Sequence, residues 1–327
     1  MHRNKLRTVV PAVLAAATAA LVLGQPAQAA PSAAGDMQLI TTDGGNGLAH
    51  TIRGFWGGWQ QFGHIGGYSA VTELTSTYHD GEENAFFLQG NTLAHLIRHD
   101  NGTWNLLGST PNGAGVTQLS TTDVGGKLTL VAVRDGAVQT TTEQADGTWT
   151  PWSAVPSDKH AIVDIAAVAL GDTLRVVELD DGHRNIGEFE RSANGAWTSG
   201  GWTTTAPDSG ETATEIAAAQ VGGELQIAAV ETDGSFNSVF HGVLGADGTW
   251  SPFASLAGAI GHIDGNPVHV AVAPWEGALQ LAYSASNGGL YHTVRYQNGD
   301  WQDWGYVQSA AGSVNAGPLT MAANPVN

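Results

Sequence analysis

PVHVAVAPWEGALQLAYSASNGGLYHTVRYQNGDW, residues 267–301, holds three short alternating apolar runs separated by glycine turns. Val268, Val270 and Val272 form the first, Leu279, Leu281 and Tyr283 the second, and Leu290, His292 and Val294 the third. An Asn-Gly turn then leads to Trp301. Period-two alternation over four to eight residues, bounded by Gly and Asn, is the pattern of half-buried strands. The segment therefore reads as one four-stranded antiparallel sheet whose last hairpin ends on a tryptophan. Asn-Gly and Asp-Gly supply the positive φ angles of a type I′ turn, so that turn is expected before the outer strand.

The same phrase recurs along the chain. ADGTW occurs at 145–149 and 246–250, NGTW ends at Trp104, NGAW at Trp197 and a degenerate GGW at Trp59. Tryptophans 59, 104, 149, 197, 250 and 301 lie 45 to 53 residues apart, within the period range of propellers and other repeat arrays. The first strands align as VTEL (71–74), VTQL (116–119), IVDI (162–165), ATEI (213–216), PVHV (267–270) and PLTM (318–321). No further repeat follows PLTM. At the other end MQLITT starts on a second strand with no first strand before it. Pairing the C-terminal strand with the N-terminal three closes a ring and leaves no open sheet edge. A linear solenoid would need polar caps at both ends, and the sequence has none. The expected architecture is an all-β, six-bladed β-propeller over residues 36–327, with Met321 beside Leu39.

Residues 1–29 read as a signal peptide and 30–35 as a short linker. Arg3, Lys5 and Arg7 precede an apolar run at 9–24, and Ala27-Gln28-Ala29 offers small residues for cleavage after Ala29. The run barely reaches the length of a membrane span, so a secreted, extracellular protein with no membrane insertion is expected. The chain has no cysteine, hence no disulfide framework. Without the three basic residues of the signal, nine Lys and Arg face 30 Asp and Glu. That acidic surface repels phosphate backbones, which argues against nucleic acid as a partner. Periodic aromatic and aliphatic residues argue equally against a disordered acidic chain.

The phrase LQLAYSASNGGLYHTVRYQNGDWQDWG (279–305) and its weaker counterparts resemble the repeats of secreted lectin propellers: the fucose-binding lectins and the tectonin-like and tachylectin-like families. The resemblance covers nearly all of the mature chain and implies glycan binding without a cofactor. With its alanine-rich signal, the chain also resembles in overall form the lectin subunits of umbrella toxin particles. That likeness implies protein partners in an antibacterial particle and a targeting role.

Candidate residues follow from the repeat. Nine residues before each turn tryptophan stand His50, His95, Thr140, Glu188, His241 and His292. Arg53, Arg98 and Arg295 lie three residues after a histidine, hence on the opposite strand face. The histidine of one blade and the arginine of the next are expected to meet at a seam between blades. Such seams hold sugars in the lectin propellers resembled; otherwise these residues pack blade on blade, bonding backbone carbonyls. In TLRVVELDDGHRNIGEFE (173–190), a turn at Asp181-Gly182 would place Arg175 opposite Glu188. That pair either resembles the Arg and Glu that fix sugar hydroxyls in fucose-binding propellers, or is a plain cross-strand ion pair. Near the Arg175 position other blades have Gln38, Thr129, Gln226 or Gln280.

First-strand residues Glu73, Gln118, Asp164, Glu215, His269 and Thr320 should line an axial channel. There, Glu73, Asp164, Glu215 and His269 either hold a hard cation such as calcium or merely line a water-filled polar channel. No GxSxG elbow or HExxH motif occurs, and an Asp-box lacks its spacer residue, so no enzyme is expected. The alternative to a lectin is a scaffold whose face docks another protein.

Overall fold

A computed structural model of the protein describes residues 35–45, 47–108, 110–157, 161–204, 211–261 and 264–324. The expected signal cleavage site lies outside the described residues. Six four-stranded antiparallel sheets surround a central axis. Their innermost strands are Ala316–Ala323 in blade 1, Val71–His79 in blade 2, Val116–Asp123 in blade 3, Ile162–Leu170 in blade 4, Thr212–Val221 in blade 5 and Pro267–Trp275 in blade 6. Each sheet then runs outward in chain order. Blade 1 alone is built from both ends of the chain, in the order Ala316–Ala323, Met37–Asp43, Leu48–Arg53, Gly63–Ile65.

The closure follows the expected register. Met37 faces Ala323, Leu39 faces Met321 and Thr41 faces Leu319. The Asn324 amide donates to the Asp36 carbonyl at 2.9 Å, and the Asn315 amide to Asp43 Oδ1 at 2.7 Å. Met37, Leu39, Leu319 and Met321 share an apolar cluster with Ala271, Ala273, Trp275 and Ala282 of blade 6. The seam is therefore packed as well as hydrogen-bonded.

Second strands such as Ala278–Ala285 are buried along their whole length. A strand in a blade is covered by neighbouring blades on both faces, so its sequence (ALQLAYSA) is a nearly continuous apolar run. The first strands carry a device not legible in their sequence. In blades 2 to 6 the register slips by one residue immediately before Glu73, Gln118, Asp164, Glu215 and His269. A bulge kinks the strand and re-aims the next side chain, and all five of these residues line the axial cavity.

The repeated turn differs from the type I′ form expected. In the hairpin ending at Trp104, the Gly102 amide donates to the His99 carbonyl at 2.8 Å and the His99 amide to the Thr103 carbonyl at 2.9 Å. Gly102 has φ 84°, whereas Asn101 is absent from the positive-φ residues. This is a type I turn closed by one left-handed glycine, not a turn needing two positive φ angles. The Asx side chain has another task. Asn101, Asp146, Asn194, Asp247 and Asn298 each accept the amide two residues on, at 2.9 to 3.1 Å. Blade 1 keeps the turn, with the Gly54 amide donating to the Gly58 carbonyl at 2.9 Å and the Gly57 amide to the Gly54 carbonyl at 2.7 Å. At the Asx position it has Trp56, which is 93% exposed.

Candidate functional site

Each blade sets a polar residue of its second strand diagonally across from a polar residue of its third. The pairs are Gln38 and His50, Asn84 and His95, Thr129 and Thr140, Arg175 and Glu188, Gln226 and His241, and Gln280 and His292. Asn84 escaped the sequence reading because a shorter amide stands where blades 1, 5 and 6 have glutamine. The four histidine pairs are hydrogen-bonded through Nε2, at 2.6 Å to Gln38, 2.8 Å to Asn84, 3.2 Å to Gln226 and 3.0 Å to Gln280. An amide oxygen can only accept, so Nε2 carries the proton and donates.

All four histidines are buried. Each meets, nearly at right angles, the turn tryptophan of the next blade: His50 with Trp104 (5.3 Å), His95 with Trp149 (6.5 Å), His241 with Trp301 (5.0 Å) and His292 with Trp59 (5.3 Å). The repeated tryptophan is thus a wedge between blades. Burial pushes His241 and His292 down to about 3 and His95 to about 4, and holds His50 well below the usual histidine range. For His50, His241 and His292 the next cause is the arginine of the following blade, Arg98, Arg295 and Arg53 respectively. Histidine and arginine do meet across the seams, but beneath the surface. The histidine nitrogens bond side-chain amides and not the backbone carbonyls expected of a packing role. Of the three arginines, Arg98 is buried in blade 2, and Arg53 lies 5.0 Å over the Trp275 ring of blade 6.

These neutral histidines make stability pH-dependent in a defined direction. The unfolded chain protonates them near pH 6.5, while the fold holds them neutral to lower pH. Their contribution is complete above about pH 6.5 and is lost as pH falls toward the folded values, at about 1.4 kcal/mol per pH unit for each ring. The buried carboxyls Glu73 and Glu83, pushed up to about 8 by burial, act in the opposite sense. A difference measurement isolates the histidine. His292→Gln is expected to melt below the wild type at neutral pH, with the gap closing as pH falls to about 5. A gap that does not change with pH refutes the neutral buried ring.

Blade 4 breaks the pattern. Its connection spans residues 181–184, with Asp180 Oδ1 accepting the Arg184 amide at 3.3 Å and the Asn185 amide at 3.1 Å, and His183 in the left-handed region at φ 57°. The loop is longer than the Asp181-Gly182 turn expected, so the register shifts by two: Arg175 faces Glu190, and Glu188 faces Val177. Arg175 nevertheless reaches both acids, with Nε 3.5 Å from Glu188 Oε1 and one terminal nitrogen 3.4 Å from Glu190 Oε2. Its side chain is 18% exposed and that of Glu188 10%. Burial raises the Glu188 carboxyl, Arg175 lowers it and Glu190 raises it again. Gly200 leaves space for that carboxylate, since a Cβ there would overlap it. On the blade 5 side, half-buried Trp250 packs against the cluster that contains Val177, Ile186, Phe240 and Phe253. The seam between blades 4 and 5 thus offers a forked cation, two carboxylates and a nearby indole.

The seam between blades 3 and 4 is more open. A cleft of about 1,220 Å³ is lined there by Lys127, Thr129, Thr142, Glu143, Asp172 and Arg191, among others. Arg191 sits 5.7 Å over the Trp197 ring. The readable signal was Thr129, a small residue that lines the cleft where blades 1, 5 and 6 have glutamine.

All six channel residues line an axial cavity of about 660 Å³. The carboxylates are occupied by backbone. Glu73 accepts the Leu119 amide, Asp164 Oδ2 the Ile216 amide at 2.6 Å and Glu215 Oε1 the Val270 amide at 2.8 Å, each in the next blade. Glu215 Oε2 also bonds His269 Nδ1 at 2.7 Å. Hydroxyls do the same between blades 1 and 2, 2 and 3, and 3 and 4. Thr320 accepts the Ser76 amide, Thr75 that of Thr121 and Ser120 that of Ala167. Channel side chains thus staple the inner strands together, and among the described residues no group of three or more His, Asp or Glu is placed to hold a metal ion.

No protein-family model and no curated protein sequence matches the chain. Solved structures do. The fucose-specific lectin from Aleuria aurantia superposes with a TM-score of 0.60 at 16% identity, covering 83% of this chain and 90% of that one. The SapL1 lectin, solved with alpha methyl fucoside, gives 0.59 at 16% identity, covering 86% and 97%. A chain of the nidogen/laminin complex gives 0.56 at 9% identity, covering 89% and 100%. The likeness establishes the six-bladed propeller, a fold shared by sugar-binding and protein-binding molecules alike.

Proposed function

We propose that the protein is a secreted, non-catalytic glycan-binding propeller whose principal site is the seam between blades 4 and 5, formed by Arg175, Glu188 and Glu190 with Trp250 alongside. The observation that carries this reading is an asymmetry. Six homologous positions hold polar pairs, four of them buried amide and histidine pairs, and only blade 4 has a charged pair that reaches the surface. Guanidinium and carboxylate give fixed donors and acceptors to adjacent hydroxyls, and an indole face suits the apolar side of a pyranose. The fold likeness to fucose-binding lectins supports the same ligand class. The buried His50, His95, His241 and His292, with Arg53, Arg98 and Arg295, shape the floors of the other seams and are secondary candidates. A glycan array tests the reading: a signal for the wild type that Arg175→Ala loses supports it, and an array with no signal refutes it.

A second reading, a protein-docking scaffold such as a targeting subunit of an antibacterial particle, draws on Phe55 and Trp56. They form a T-shaped pair at 4.9 Å on the blade 1 hairpin, and exposed aromatics of this kind anchor protein interfaces. Trp56→Asn restores the Asx turn of the other hairpins. It is expected to leave the melting temperature equal or higher while abolishing capture of any partner from culture supernatant. Capture that survives the substitution removes Trp56 from the interface.

A further inference from the structure

A cavity of about 340 Å³ lies at the opposite end of the first strands from the turn tryptophans' hairpins, where blade 6, blade 1 and the connection to blade 2 converge. Its wall includes Thr42, His269, Ser284, Ser286 and Asn315, together with Tyr68. Three glycines make room for the polar side chains of its wall. A Cβ on Gly44 or Gly288 would overlap the Asn315 side chain, and one on Gly317 the Thr42 hydroxyl. Gly44 and Gly288 also take positive φ, 48° and 79°. The wall therefore combines glycine backbone and short polar side chains with the small apolar side chains of Val71, Val268 and Ala285.

Ser284 is the residue that the fold does not explain. It lies opposite His269 at the bulge of blade 6, is fully buried, and its hydroxyl has no hydrogen-bond partner. An unpaired buried hydroxyl is costly, and alanine would fill that strand position equally well. His269 borders both this cavity and the axial channel. Its Nδ1 is bonded to a Glu215 carboxylate oxygen, which can only accept. In the neutral ring Nε2 is then an acceptor. Among the described residues no Lys, Arg, Asp or Glu lines the cavity, so a charged ligand would meet no full counter-charge from them.

We propose that this cavity is a second binding site, for a neutral polyhydroxylated molecule the size of one monosaccharide. Its volume is at the lower end of the roughly 300–1,000 Å³ range of small-molecule pockets, which suits a single ring. Hydroxyls that both donate and accept match Ser284, Ser286, Thr42 and Asn315 without requiring charge. The site is separate from the seam of blades 4 and 5 and stands whether or not that seam binds glycans.

The test uses saturation-transfer NMR and isothermal titration with glucose, galactose, mannose, fucose and N-acetylglucosamine against the wild type, Ser284→Ala and Ser286→Trp. Ser286 is exposed at the mouth, so tryptophan there plugs the entrance without disturbing the core. At least one of the five sugars is expected to bind the wild type, to be lost from Ser286→Trp, and to bind Ser284→Ala about three- to tenfold more weakly. Ser284→Ala should melt at the same or a higher temperature, because it removes an unpaired hydroxyl; a purely structural serine would lower it. Neither residue lies at the blade 4–5 seam, so loss in these variants cannot originate there. Failure of all five sugars to bind the wild type, or binding unchanged in both variants, overturns the proposal.

Discussion

Removal of residues 316–327 is expected to convert the folded protein into an aggregating chain. The deletion strips the innermost strand from blade 1 and exposes the hydrogen-bonding edge of Met37–Asp43, an unprotected template for another chain. It also takes Leu319 and Met321 out of the apolar cluster at the seam. At about 1.5–3 kcal/mol for each buried aliphatic side chain, with the strand's ladder lost as well, the deficit is comparable to the whole stability of a typical domain, about 5–15 kcal/mol. Size-exclusion chromatography should show large species and calorimetry no cooperative transition. A synthetic peptide of residues 312–327 added during refolding should restore the elution and melting of the intact protein, because the register is set by Leu39 opposite Met321. Unchanged melting of the truncated chain would mean that the ring is not closed this way.

The second large effect concerns Arg175. Its substitution by alanine leaves Glu188 and Glu190 without the cation that both approach. A ligand hydroxyl loses a fixed donor, and the partners left behind are part-buried and unpaired, a cost of about 1–3 kcal/mol. Glycan affinity should fall by about five- to a hundredfold. Glu188→Ala should lose a similar amount, and the double variant little more, since both residues act on the same hydroxyls. Arg175→Lys separates charge from geometry: lysine keeps the charge without the planar fork and should recover only part of the affinity. Titration calorimetry with a glycan that scores on the array gives all four values, and full affinity in both single alanine variants would reduce the pair to an ion pair.

Architecture and closure were legible because they rest on long-range periodicity. Six tryptophans at regular intervals and a first-strand motif orphaned at the C-terminus each imply a topology without needing any side-chain coordinate. Local geometry was less so. Asp-Gly and Asn-Gly fit more than one tight turn, and only the backbone reveals that the glycine alone takes positive φ while the Asx side chain caps the turn. In blade 4 the same ambiguity moved the partner of Arg175 by two residues, because Asp180 holds a longer loop than the dipeptide suggests. The histidines share one position in their blades, yet their burial depends on the tryptophan of the following blade, which for His292 lies at the other end of the chain, at Trp59. The channel acids show the same limit, since each is satisfied by an amide of the next blade. Ser284 left no sequence signal at all.

The meeting of Asp36 with Asn324 has a consequence for presentation. The described residues enter and leave the ring at blade 1, and in a ring of six the seam of blades 4 and 5 lies on the far side. Asp36 and Asn324 adjoin the two inner strands of that blade, and Asn324 borders the axial cavity, so a tether continuing from either would hold the ring near its hub and leave the outer strands of every blade free, like a wheel carried on its axle. Asp36 and Asn324 are close enough to be joined by a short peptide and the chain reopened in another inter-blade loop, so the point of suspension can be moved from blade to blade without changing any of them.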